Sequence, residues 1–384
     1  LSAAIVGLGM SQLGKVFGRT SMDLAGEAVV RAVTDAGLRV GDLDGLLLSG
    51  GMANDVTPHL AIDLGLTELN MLAVTSTYGA SAGAMVAAAA RAISDGTATA
   101  VACVFADTPL KDGKPSAWGS PVAGLEGYRG WNMATGAATP NVLYAMAARR
   151  HMEIYGTTTE QFAEIAVAQR AWAAGNPLAQ YRDPITVEDH HASPWIADPL
   201  RRLDCCLVSN GAIAVVVTST EFAADLAQPP VHVWGYGEGH RPRRLGRDSS
   251  WGLETGATAS GRQAMARASI TTADVDVVEL YDCYTYTVLV TLEDYGFCAK
   301  GEGGAFVEDG RLAPGGTLAV NTGGGQLSSY YMWGYTPLSE AIIQVRGHGG
   351  ARQAPRSDIA LVSGNGGILE FHSTLILGKQ ERNA

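Results

Sequence analysis

Residues 271–282 read "TTADVDVVELYD": a polar turn with an Asp-x-Asp step, then an apolar strand from Val277 to Leu280. The same design stands at residues 40–51, "VGDLDGLLLSGG". Upstream of each copy lies a segment with helical apolar spacing, "TSMDLAGEAVVRAVTDAG" (20–37) and "TASGRQAMARASI" (258–270). The first opens on a Thr/Ser cap candidate. Downstream, "LAVTSTYGASAG" (72–83) is matched by "LAVNTGGGQLSS" (318–329), and "TATAVACVFAD" (97–107) by "SDIALVSGNGG" (357–367). Four matches in one order, roughly 230 to 260 residues apart, mark an internal duplication. The halves are placed at 1–225 and 226–384. Alternating strands and helices predict βαβ units, a mostly parallel sheet in each half, and a helical layer shared between the two.

A long insertion, about 108–205, interrupts the first half. Its start, "TPLKDGKPSAWGSPVAGLEGYRGW", is rich in Gly, Pro and Trp and has the character of a functional loop. Helical spacing follows around 140–154 and 158–174. A Pro-rich stretch then leads into a strand near 212–219.

Composition sets limits. The 384 residues are 47% apolar and 17% charged, which suits a well-packed globular chain. No apolar run reaches the ~18 to 20 residues of a membrane span, and no signal peptide is visible. The five cysteines (Cys103, Cys205, Cys206, Cys283, Cys298) lack a framework spacing, so a reducing, cytoplasmic setting is expected. A net charge of −11 argues against nucleic-acid binding. The local cluster Arg241, Arg243, Arg244 and Arg247 suits either an anionic ligand or a solvated loop. His190-His191 is the one adjacent histidine pair and, in a loop, is a poor metal site. His348 is expected on a surface loop and His372 in the core.

The unusual chemistry lies in "VELYDCYTYT" (278–287), with three phenols, a carboxylate and a thiol in the six residues 281–286. Together with "DPITVEDH" (183–190), "DPLRRLDCCLVSNGAIAVVV" (198–217), "VNTGGGQLSS" and "LVSGNGG", it resembles the thiolase superfamily. The resemblance spans essentially the whole chain. It is narrowest to the sterol-carrier-protein-type and lipid-transfer-protein-like acyl-CoA enzymes. It implies an α/β thiolase-like fold of five layers, α-β-α-β-α, built from two duplicated halves, and a homodimer.

The departures from the family pattern carry the functional reading. A thiolase nucleophile is a cysteine at a helix start, where the helix dipole favours the thiolate. The aligned residue here is Tyr78. The family's "HDCF" histidine position reads Tyr281-Asp282-Cys283-Tyr284. The Gly-His-Pro region holds Tyr330, Tyr331 and Tyr335, and the C-terminal cysteine position reads Ser363-Gly364-Asn365-Gly366-Gly367. No nucleophile for thioester exchange is evident. The lysines (Lys15, Lys111, Lys114, Lys300, Lys379) lie outside the matched segments, which removes a Schiff base.

This pattern resembles the thiolase-like aldolases of steroid side chains. The resemblance implies retro-aldol cleavage of a bulky β-hydroxyacyl-CoA to a ketone and a shorter acyl-CoA such as propionyl-CoA. It also implies a small OB-fold, zinc-ribbon partner. No tightly bound cofactor and no metal are expected; CoA enters as part of the substrate. Acid/base work falls to Tyr281 and Tyr331, from the two segments that hold the family's histidines. Which is base and which is acid stays open, since a free phenol titrates near 10 and needs its environment to shift it. Each also has a plain reading, as a packed aromatic with a wet hydroxyl. Asp282 orients a phenol or caps a turn, and Cys283 is structural. Gly323, Gly324 and Gly325, with Gly364, Asn365, Gly366 and Gly367, are candidates to offer backbone N–H groups to the thioester oxygen, or simply to form turns. Two other readings stand beside this one: a catalytically silent acyl-CoA-binding subunit of a partner complex, and an acyltransferase using Cys283.

Overall fold

A computed structural model describes residues 2–114, 116, 130, 134–137, 139–241 and 249–382. The first half contains β1 (Ala3–Met10), α1 (Ser21–Ala36), β2 (Gly45–Gly50), β3 (Met71–Val74), α2 (Ser81–Ser94) and β4 (Ala100–Asp107). The insertion then contributes α3 (Pro140–Tyr155) and α4 (Thr159–Ala174) before β5 (Gly211–Ser219) closes the half. The second half runs β6 (Val231–His240), α5 (Ala257–Ala268), β7 (Val277–Glu279), α6 (Thr285–Tyr295), β8 (Ala319–Val320), α7 (Tyr335–Val345), β9 (Ile359–Gly366) and β10 (Phe371–Gly378).

The strand order is β8-β7-β9-β10-β6-β1-β5-β4-β2-β3. From the centre outward, each half lays down its first, fifth, fourth, second and third strand, so the duplication read from sequence is a duplication of topology. Two details differ from expectation. The five-stranded sheets are not separate but meet edge to edge, through Ala4↔His232 and Ile5↔Val231. Each half is also mixed and not mostly parallel. β2 pairs in parallel with β3 and β4, and β7 with β8 and β9. The fifth strand is antiparallel to both its neighbours in each half. The reason is connection length: β9 and β10 form a hairpin, and a short turn can only reverse a strand. In the first half the insertion occupies the place of that turn, between β4 and β5. Its Gly/Pro/Trp-rich start lies mostly outside the described residues.

Side chains alternate across the sheet with period two. Val6, Leu46, Leu48, Ala102, Val104, Ala214 and Val216 face α1, through Leu24, Ala28 and Val29. Ile5, Leu47, Cys103, Phe105, Ile213 and Val215 face the opposite way and join Met85, Val86 and Ala89 of α2. Helices α2 and α7 touch strands of both halves, which makes them the shared layer. α1 begins with the expected cap: the Asp23 N–H donates to Thr20 Oγ1 at 3.1 Å and the Thr20 N–H to Asp23 Oδ2 at 3.0 Å. At the end of α7, Arg346 ties the halves by donating to Asp35 Oδ2 and to the Val6 carbonyl, both at 2.8 Å. Among the described residues no helix is long and apolar enough to cross a membrane.

Candidate active site

Strand β7 ends at Glu279 and α6 begins at Thr285, so residues 280–284 form the mouth of the strand. The Leu280 N–H donates to Asn321 Oδ1 at 2.6 Å and the Tyr281 N–H to the Ser363 carbonyl at 3.0 Å. The end of the insertion grips the same segment from the other side. The Cys206 N–H donates to the Cys283 carbonyl at 2.9 Å. Asp204 accepts from Thr285 Oγ1 at 2.6 Å and lies 2.8 Å from His190 Nε2, so His190 serves here as a structural partner. Ser209 Oγ takes the Tyr331 N–H at 3.1 Å and Gln180 Nε2 at 2.8 Å.

These contacts bring the hydroxyls of Tyr281 and Tyr331 to 2.7 Å. The residues are only 5% and 7% exposed, with rings in an edge contact at 6.2 Å and 68°. The neighbouring tyrosines turn elsewhere. Tyr330 OH meets Ser339 Oγ at 3.0 Å, and the buried Tyr335 ring stacks on Phe105. Burial pushes both paired phenols well above their usual range. The thiols of Cys283 and Cys206 add to the shift of each, and Asp282 adds to that of Tyr281; none of these is a cation. The pair is therefore two neutral hydroxyls in hydrogen-bond contact.

Tyr78, at the position aligned with the family nucleophile, has φ +54. A left-handed backbone costs an aromatic residue about 1–2 kcal/mol, the kind of strain found where a turn is held for function. Its ring packs on Trp333 at 5.8 Å and Phe371 at 6.1 Å. The next residue must be glycine: a Cβ at Gly79 would lie 2.1 Å from Tyr281 Cε2.

Asp282 anchors the glycine loop. Its carboxylate accepts the Gln326 N–H at 2.9 Å and the Leu327 N–H at 3.2 Å, with Gly325 (φ +58) folded against it. Burial raises its pKa to about 7. The Gly324 N–H is taken by the Asn321 carbonyl at 2.8 Å. Gly364, Asn365 and Gly366 lie on β9, pressed against the start of α2. Burial pushes the Cys283 thiol up to about 12, which keeps it from serving as a thiolate nucleophile. Of the arginine cluster, Arg241 pairs with Glu254 at 2.5 Å; Arg243, Arg244 and Arg247 lie outside the described residues.

Like Ser209, one aromatic neighbour has no signal in the sequence. Tyr144, on α3, packs its ring against Tyr284 at 4.5 Å, tilted by 33°, and donates to the Gly367 carbonyl at 3.0 Å. Asn365 Nδ2 donates to its hydroxyl at 3.1 Å. Tyr144 sits in an ordinary helical pattern, and only the docking of the insertion places it here. A separate surface cavity of about 520 Å³, lined by Val142, Ala145, Met146, Arg149, Arg150, Ala197 and Asp198, contains neither paired phenol.

A family description of the thiolase C-terminal domain type matches residues 237–379. The steroid side-chain-cleaving aldolase of Thermomonospora curvata is 37% identical over 95% of each chain. The chain belongs to the thiolase superfamily, in its aldolase branch. The 17-hydroxy-3-oxo-4-pregnene-20-carboxyl-CoA lyase of Mycobacterium tuberculosis is 38% identical, over 90% of this chain and 92% of that one. The solved "Ltp2-ChsH2(DUF35) aldolase" superposes with a TM-score of 0.89 at 37% identity, covering 98% and 97% of the two chains. Membership of this branch makes the chain a carbon–carbon lyase and accounts for a thiolase scaffold without its sulfur nucleophile.

Proposed function

We propose that the chain cleaves a β-hydroxyacyl-CoA with a bulky, steroid-like β-substituent, giving a ketone and a shorter acyl-CoA such as propionyl-CoA. The observation that carries this reading is the 2.7 Å contact between two buried, neutral phenols. The β-hydroxyl proton passes to one phenol as that phenol hands its own proton to its partner. The Cα–Cβ bond breaks, and its electron pair enters the thioester as an enolate. In the same relay the partner phenol gives up its original proton to Cα. The two hydroxyls relay one proton for another, so neither has to become a free phenolate, which burial would penalise. Both steroid-acting relatives support the substrate class. The test is product analysis by mass spectrometry across a panel of β-hydroxyacyl-CoAs. A shorter acyl-CoA and a ketone are expected without added free CoA; a strict requirement for free CoA would mean thiolysis instead.

The working unit in this reading is a homodimer joined by a small OB-fold, zinc-ribbon partner. The paired name of the solved relative supports a second component. Strand β3 supports the dimer: it is the end strand of the sheet and, among the described residues, pairs with β2 alone. Leu72 and Val74 on it are 45% and 50% exposed. An apolar, half-paired edge strand is a template for another strand. Leu72→Lys is expected to shift sedimentation from dimer to monomer at micromolar concentration; an unchanged dimer would move the interface elsewhere.

A further inference from the structure

Asn365 is 1% exposed, inside the cluster that surrounds the paired phenols. Its amide orientation is fixed by Tyr144. That phenol has one proton, which it gives to the Gly367 carbonyl. The phenol oxygen then takes a donor, and Asn365 Nδ2 at 3.1 Å is that donor. The other end of the carboxamide, Oδ1, is buried and has no hydrogen-bond partner among the described residues. Folded proteins seldom leave a buried acceptor unmatched outside a site that receives a ligand. The surroundings point the same way. The Tyr144 ring lies 4.5 Å from that of Tyr284, three residues on from Tyr281. The Asn365 carbonyl packs on Gly79, which also seats the Tyr281 ring.

The chemistry of the substrate narrows what reaches this oxygen. On the reading proposed above, the β-hydroxyl has a single proton, and it is committed to the phenol relay. The thioester oxygen is an acceptor only. The first donor beyond the reacting atoms is the amide N–H of the cysteamine unit, two carbons past the thioester sulfur. We propose that Asn365 is a specificity-determining residue whose Oδ1 accepts the hydrogen bond of this N–H. The contact registers the thioester against Tyr281 and Tyr331 and selects pantetheine-type thioesters over simple alkyl ones. Tyr144 acts through Asn365 as a positioning residue, holding the amide so that oxygen and not nitrogen faces the thioester arm.

The test uses two truncated substrates with the same β-hydroxyacyl group. One is the N-acetylcysteamine thioester, which keeps the N–H; the other is the thioester of 2-mercaptoethyl acetate, in which an ester oxygen replaces it. In the wild type kcat/KM is expected to favour the amide by about 5- to 100-fold, the value of one hydrogen bond to a buried acceptor. Asn365→Ala is expected to bring the ratio below about threefold. Tyr144→Phe, which frees the amide to turn, is expected to lower it in part. An Asn365→Ala variant that keeps the full ratio overturns the proposal. If that variant does not fold, an unchanged ratio in Tyr144→Phe overturns it instead. A wild type that cleaves the full CoA substrate but does not discriminate between the truncated pair, or neither cleaves nor is inhibited by either at millimolar concentration, also overturns it. A wild type that cleaves no β-hydroxyacyl-CoA at all sinks the functional reading above and is distinguishable from these outcomes.

Discussion

Tyr281→Phe is expected to lower kcat for β-hydroxyacyl-CoA cleavage by about 10²- to 10⁴-fold, the usual worth of a positioned proton donor or acceptor. The ring keeps its seat against Gly79 and its edge contact with Tyr331, so KM and thermal stability change little. Tyr331→Phe falls in the same range, because each removes one hydroxyl of a two-member chain. The double variant is the sharper measurement. Two groups that pass one proton act as a unit, and removing both costs about as much as removing either. Multiplicative losses in the double variant would show two independent roles and refute the relay. The pH dependence separates the relay from a phenolate base. Burial holds both phenols well above their usual range, so no rise in rate with increasing pH between about 6 and 9 is expected from them. A rise of tenfold per pH unit across that window would mean that a phenolate must form first.

Arg352→Met is expected to destabilise the fold by about 3–5 kcal/mol at pH 8, the cost of stranding a buried charge. Arg352 holds both oxygens of Glu340, through Nε at 2.9 Å and Nη2 at 3.0 Å. Glu279, on the strand that leads to Tyr281, lies behind the same network. The Thr322 hydroxyl is 2.7 Å from Glu279 Oε1 and 3.1 Å from Glu340 Oε1. Burial, and after it the charge of Glu340, already holds the Glu279 carboxyl well above the ordinary range. Without the guanidinium, Glu279 and Glu340 share a buried space without that counter-charge, and the folded-state pKa of Glu279 stays above the unfolded value of about 4.3. Such groups cost most stability when ionised, above the folded pKa; the penalty fades as pH falls toward the unfolded value. Urea denaturation should therefore show a larger loss at pH 8 than at pH 5. Equal losses at the two pH values would locate the effect in packing and not in charge. Because Thr322 begins the turn that carries Gly323–Gly325, the variant also tests whether this network supports the site.

How much of this was legible beforehand differs by feature. The two halves, their order and the helix caps are local patterns: apolar period, Asp-x-Asp turns, a Thr-x-x-Asp box. The missing cysteines and histidines were legible too, because aligned motifs show what a position lacks. The mixed pairing of the sheets was not. A buried strand has the same apolar run whichever way its neighbour points, and direction is set by the connection. Tyr144 and Ser209 were not legible either. Tyr144 belongs to the insertion and Ser209 to the segment just after it, and nothing in their local pattern says which surface the insertion covers.

From the chain's own letters came a duplicated α/β architecture and a scaffold stripped of its sulfur chemistry, with tyrosines left at the vacated positions. Three of those tyrosines, Tyr330, Tyr331 and Tyr335, lie within six residues and are alike to any local rule. Only the tertiary structure decided that Tyr331 meets Tyr281: the Ser209 hydroxyl, just past the insertion, holds the Tyr331 backbone, while Tyr330 turns to Ser339 and, beyond the backbone turn at Trp333 (φ +50), Tyr335 turns to Phe105. Periodicity is written over neighbours in sequence. A hydroxyl-to-hydroxyl distance is set by the packing of segments 50 residues apart.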